Sequence, residues 1–178
     1  QFWCAEYPAM NYKTAADGFA PIANKLSAFL THPVVRRALC EPETPIRFRA
    51  LMDDGHVLLV SLAKGQLGAE VANVMGGLLV SSLVHAAFTR DGVADHLRRP
   101  FFLYIDEFHS FTTETVADLL SETRKYGLGL ILAQQHTQQT SASVFASIMG
   151  NVGTLIAFRI GAADARTIAA QLGMTDPA

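Results

Sequence analysis

The chain predicts an α/β fold with a mainly parallel sheet flanked by helices. Two observations carry this. Short continuous apolar runs of strand length alternate with helical segments from residue 55 onward. Those runs are not alternating apolar and polar, as a half-exposed antiparallel strand would be, so each is expected to be covered on both faces. The 178 residues suffice for one sizeable core, and with 50% apolar and 17% charged residues the chain reads as globular.

The organisation divides in two: a helical insertion or subdomain over 1–45, and the α/β part over 46–178. In the first, Phe19, Ile22, Ala23, Leu26, Phe29 and Leu30 fall on one helical face. Thr31, His32 and Pro33 break that helix, and Pro33 can open a short second one through Leu39. Glu41–Pro45 is a loop.

In the second part His56–Leu62 reads as a first strand and Ala69–Phe88 as a helix. Val71–Phe88 carries no acidic or basic residue and reaches the lower limit of a membrane span. The strand-like segments on either side favour a helix buried against a sheet. Phe101–Ile105 is a second strand. Glu114–Tyr126 is a helix with Val116, Leu119 and Leu120 inward and Gly127 as its stop. Leu128–Ala133 is a third strand. Ser141–Met149 is a helix with Val144, Phe145, Ile148 and Met149 inward. Thr154–Ile160 is a fourth strand, and Ala163–Leu172 a last helix ending at Gly173.

Ligands on parallel sheets bind at the carboxyl ends of the strands, so chemistry is sought there. Phe101 to Ile105 runs into Asp106-Glu107, the Walker B pattern. A buried strand would deliver Asp106 rigidly, where it can hold Mg²⁺ through water. Glu107, one residue on, can orient and deprotonate an attacking water. Adjacent carboxylates repel unless a cation sits nearby; the plainer role is a pair of acids capping the next loop. Gln134-Gln135 ends the third strand, where an amide can touch a phosphate and a water, or simply bind backbone. Arg124-Lys125 precedes that strand, as a solvated helix end or as a group for a neighbouring subunit, since a guanidinium fork pairs with phosphate. Arg159 near the fourth strand's end is a nucleotide-edge or interface arginine, or a plain surface one.

Ala63 to Gly68 is Gly-containing but is a tight turn, because G-x-x-x-x-G-K-[ST] occurs nowhere in the chain. The six histidines lack zinc-type spacing, which disfavours a metal site of Asp106, His109 and His136. Cys4 and Cys40 read as free thiols. A net charge of −2 leaves no basic surface for nucleic acid at large, so any DNA contact is local. The chain opens at Gln1 without an initiator Met and is expected to be a fragment.

The stretches RRPFFLYIDEFHSF, LSETRKYGLGLILAQQHTQQ and GNVGTLIAFRIGAADA, preceded by DDGHVLLVSLAKGQLGAE, resemble the C-terminal half of the motor domain in the HerA/FtsK superfamily. They are most similar to conjugative coupling proteins of the TraG/TraD type and to HerA-like proteins, over roughly residues 20–173. The resemblance implies a RecA-like P-loop NTPase core that uses ATP and Mg²⁺. It assigns Asp106 to the Mg²⁺-associated acid, Glu107 to the catalytic glutamate, Gln135 to the sensor (Gln134 as fallback) and Arg124 to the arginine finger. It implies hexameric rings with DNA in the channel, possible secretion-system partners, and a cytoplasmic location with a possible inner-membrane anchor. The phosphate-binding Lys and Ser/Thr of that family would lie before Gln1, so the piece alone is expected to be inactive. Two other functions compete. A DExH helicase fits Asp106 to His109 but not the Gln-Gln that follows; a non-catalytic docking domain fits the absent phosphate loop.

Overall fold

The structure is a computed structural model, and it describes residues 12–41, 43–111 and 122–174. Two compact units emerge: residues 1–45 with 64–71, and residues 46–63 with 72–178.

In the first unit, helix α1 spans Tyr12–Thr31 and contains Pro21. It stops where His32 takes extended backbone, and Pro33 occupies the first position of the single turn Pro33–Val35, where a missing N–H costs nothing. That turn widens into a π-turn over Arg36–Cys40, closed by Arg36 on Glu41 at 2.8 Å. Phe19, Ile22 and Leu26 are exposed, and Val35 is fully buried. Lys64–Leu67 forms one helical turn ended by Gly68 at φ 80°.

The second unit holds the sheet and the core. Helix α2 spans Phe48–Asp54 and ends at Gly55, whose left-handed φ of 70° only glycine adopts without cost. Helix α3 spans Ala69–Phe88. It is long and apolar enough to cross a bilayer by length and composition, and a stripe of it, Ala72, Gly76, Val80, Leu83, Val84 and Ala87, is buried. Gly76 allows Phe111 to lie against the helix: a Cβ there would stand 2.2 Å from the Phe111 ring. Strands β1 (Phe101–Ile105) and β2 (Leu128–Leu132) pair in parallel, with Phe101 opposite Leu128 and Ile105 opposite Leu132. Helix α4 spans Ala142–Asn151, capped by the Ser141 hydroxyl on Val144 N. Helix α5 spans Ala162–Gln171 and ends before Gly173 at φ 67°.

Met52, Val80, Leu83, Val84, Ala87, Ile105, Phe108, Leu128, Val144 and Ile148 form one buried cluster. It joins α2, α3, both strands and α4.

The α/β reading holds at this level: a parallel pair of strands set among helices. The sheet is smaller than expected. His56–Leu62 and Thr154–Ile160 form no ladder, and Val57, Leu59, Ile156 and Phe158 are each more than 70% exposed. An apolar run becomes a strand only when a neighbour supplies its hydrogen bonds, and among the described residues these two have none. Nor are both faces of the sheet covered by the described residues: Phe102, Tyr104 and Ile131 are exposed, while Ile105 and Leu128 face the core. The helix expected over Glu114–Tyr126 lies mostly outside the described residues. Its described end, Thr123–Tyr126, is a 3₁₀ turn closed by Gly127 at φ 73°.

Behind the amino ends of the strands four arginines tie the chain together. Arg90 is fully buried. Its Nη1 donates to Arg99 O (3.0 Å) and Tyr126 O (3.2 Å), and its Nη2 lies 2.9 Å from Asp53 Oδ1. Arg98 donates to Arg90 O, Asp91 O and Lys125 O and pairs with Asp95 at 2.6 Å. Arg99 donates to Asp54 O at 3.0 Å, and Arg49 to Thr89 Oγ1 at 3.0 Å.

Candidate functional site

The carboxyl ends of β1 and β2 lie side by side because the strands run parallel in register. The pairing outlasts the strands: Ala133 N donates to Ile105 O at 3.0 Å, and Phe108 N donates to Ala133 O at 3.1 Å. Asp106 and Glu107 are thus forced out of the ladder as a two-residue bulge between Ile105 and Phe108. Closing it puts Glu107 in the left-handed region, with φ 51° and ψ 44°, the one non-glycine residue at positive φ among the described residues. A β-carbon makes that conformation cost about 1–2 kcal/mol, and such strain persists only where the surroundings enforce it. Phe108, buried in the core, and the two Ala133 bonds enforce it here.

The bulge aims Glu107 at Gln135. Gln135 Nε2 donates to Glu107 Oε1, while Glu107 Oε2 faces His109 Nδ1 at 3.5 Å. His109 Nδ1 is buried and makes no hydrogen bond among the described residues; its Nε2 lies 3.4 Å from Ser110 Oγ. Asp106 is exposed, and its Oδ1 accepts Glu107 N at 3.0 Å. Its Oδ2 has no partner among the described residues. Gln134 turns the other way, its Oε1 accepting Thr140 Oγ1 at 2.7 Å.

The structure therefore brings together Asp106, Glu107 and Gln135, three of the six residues singled out in the sequence. Arg124 sits exposed in the 3₁₀ turn before β2, and Arg159 is exposed in the unpaired segment after α4; neither side chain has a hydrogen-bond or ion-pair partner among the described residues. No group of three or more His, Cys, Asp or Glu placed to hold a metal occurs among the described residues.

The sequence reading missed a second polar group. Asp164, third residue of α5, is buried. Its Oδ1 accepts Thr137 N at 3.1 Å and the Thr137 hydroxyl, and its Oδ2 faces His136 Nδ1 at 3.4 Å. The Thr137 hydroxyl is the largest of the causes that hold this carboxyl below the usual range; burial opposes it, and the Thr137 N–H and His136 assist. In the sequence, an acid in a helix's first turn reads as a simple complement to the helix dipole, so nothing marked it.

The sign of the pH effect follows. A carboxyl depressed in the folded state adds stability above its unfolded value of about 3.9 and loses it as pH falls through the folded value. Urea titrations of wild type and Asp164→Asn are expected to show a gap above about pH 4 that narrows progressively as pH falls below it. A gap that does not narrow at all as pH falls from about 5 to the onset of acid unfolding would exclude ionisation of Asp164 as its source.

Residues 100–178 match the family model TraG-D_C, described as the TraM recognition site of TraD and TraG. That stretch, just under half of the chain, begins one residue before β1 and takes in the whole of the site. It is similar to the C-terminal region of TraG/TraD-type conjugative coupling proteins. No curated protein and no solved structure matches the chain.

Proposed function

We propose that the chain is part of a coupling ATPase for conjugation or type IV secretion, and that Asp106, Glu107 and Gln135 are its hydrolytic edge. One observation carries the reading: Glu107 and Gln135 meet at the carboxyl ends of two adjacent parallel strands, Glu107 in a strained conformation that the ladder imposes. The TraG-D_C match over the same residues supports the conjugation context.

In this reading ATP with Mg²⁺ supplies the phosphoryl group and the counter-charge. Asp106 would hold a Mg²⁺ through water, because one carboxylate oxygen accepts Glu107 N and the other has no partner among the described residues. Glu107 accepts the proton of the attacking water. Gln135 orients that water and holds Glu107 in place. The RecA-like core, the hexameric ring, DNA in its channel and a location at the cytoplasmic side of the inner membrane belong to the same proposal. The family description adds a TraM-like partner for the region 100–178.

Arg124 is the trans element. It precedes β2 at the strands' amino ends, is exposed, and makes no contact with Glu107 or Asp106 of its own chain. Full-length Arg124→Ala is expected to form rings that hydrolyse ATP at least about tenfold more slowly. Mixing it with Glu107→Gln subunits should restore turnover, since mixed interfaces regain one intact Arg124 facing one intact Glu107. Mixtures no more active than the separate variants would rule out action across the interface.

A further inference from the structure

We infer that Asp164 is a positioning residue that sets Gln135 against Glu107 by pinning the turn that follows it. The inference rests on the reading of Glu107 and Gln135 as a catalytic pair.

The geometry is that of a short span held at both ends. On one side Ala133 is fixed by its two bonds to Ile105 and Phe108. On the other, His136 and Thr137 are fixed to Asp164 by the Thr137 N–H, the Thr137 hydroxyl and the His136 ring. Gln134 and Gln135 are the residues between, and Gln134 is itself tied to Thr140. Only the Gln135 side chain is left to reach across to Glu107.

Asp164 is the one buried acid among the described residues. Burying a carboxylate is costly unless it is fully hydrogen-bonded, and among the described residues its bonds are made to His136 and Thr137, the two residues that follow Gln135. The Thr137 hydroxyl donates to the carboxylate, which makes Thr137 a tether rather than a nucleophile. Through this tether the start of α5 is connected to the tip of β2, so a shift of α5 would be felt at Gln135.

The test reads the Gln135 side-chain amide protons by nitrogen-edited NMR on the 178-residue chain, with Glu107→Ala as the reference for a released Gln135. Asp164→Ala is expected to move the Gln135 pair most of the way to that reference, and Thr137→Val part of the way. Asp164→Asn keeps an acceptor for both Thr137 donors and is expected to fall between wild type and Asp164→Ala. In the full-length protein Asp164→Ala should lower kcat for ATP at least about tenfold, with KM within about twofold, because the pair acts on water rather than on nucleotide binding. A Gln135 signal that stays at its wild-type position in folded Asp164→Ala overturns the inference. Should that variant not fold, Thr137→Val and Asp164→Asn decide by the same signal. A displaced Gln135 with unchanged kcat, alongside an inactive Glu107→Gln, overturns the positioning role while the catalytic pair stands. A fully active Glu107→Gln instead removes the catalytic pair, and the Gln135 signal alone then decides whether Asp164 sets that side chain.

Discussion

Glu107→Gln in the full-length protein is expected to lower ATP turnover by about 10²–10⁴-fold, the range that a positioned general base supplies, while nucleotide binding persists. The substitution is close to isosteric. Its amide oxygen can still accept the Gln135 Nε2 hydrogen that Glu107 Oε1 now accepts. The bulge between Ile105 and Phe108 is set by backbone bonds to Ala133, and these do not involve the side chain. What is lost is the negative charge and the capacity to take a proton from water. Turnover is measured at saturating ATP and binding with a fluorescent nucleotide analogue. Undiminished turnover would remove Glu107 from the chemistry and leave Asp106-Glu107 as a loop cap, which its bond to Glu107 N already makes Asp106 in part.

Arg90→Met is expected to cost about 3–5 kcal/mol of folding stability, the range seen when one partner of a buried charged network is removed. Methionine fills much of the volume but offers no donor. The Arg99 and Tyr126 carbonyl oxygens lose the hydrogen bonds that Arg90 now gives them, and Asp53 loses its 2.9 Å contact with Arg90 while keeping its pair with Arg49. Asp53 is 41% exposed at its side chain and can be rehydrated, which limits its share of the loss. Urea denaturation should show a lower midpoint with an unchanged slope. A change under about 0.5 kcal/mol, the scale of an ordinary surface substitution, would mean that Arg98 and Arg99 hold this end of the sheet without it.

Much of the local structure was legible in the residues. Pro33 marked the restart after α1 and Gly127 the stop before β2, the helix expected over Ala69–Phe88 is α3 to the residue, and the one expected over Ser141–Met149 is α4, shifted to Ala142–Asn151 with Ser141 as its cap. These are properties of single residues or of one segment's period. The runs His56–Leu62 and Thr154–Ile160 are mostly apolar and of strand length, as β1 and β2 are, and the apolar pattern read them all as strands. Pairing separates them, and pairing belongs to two segments at once.

The same division runs through the site. By itself the sequence determined which chemistry could sit at each strand end: acids after Phe101–Ile105, amides after Leu128–Leu132. Tertiary structure alone decided that Glu107 meets Gln135 while Gln134 turns to Thr140, that Glu107 takes a left-handed backbone, and that Asp164 pins the turn behind Gln135. Residue type is local, but a contact across two strands depends on their register, and the value of a buried carboxylate depends on which donors the fold gathers around it.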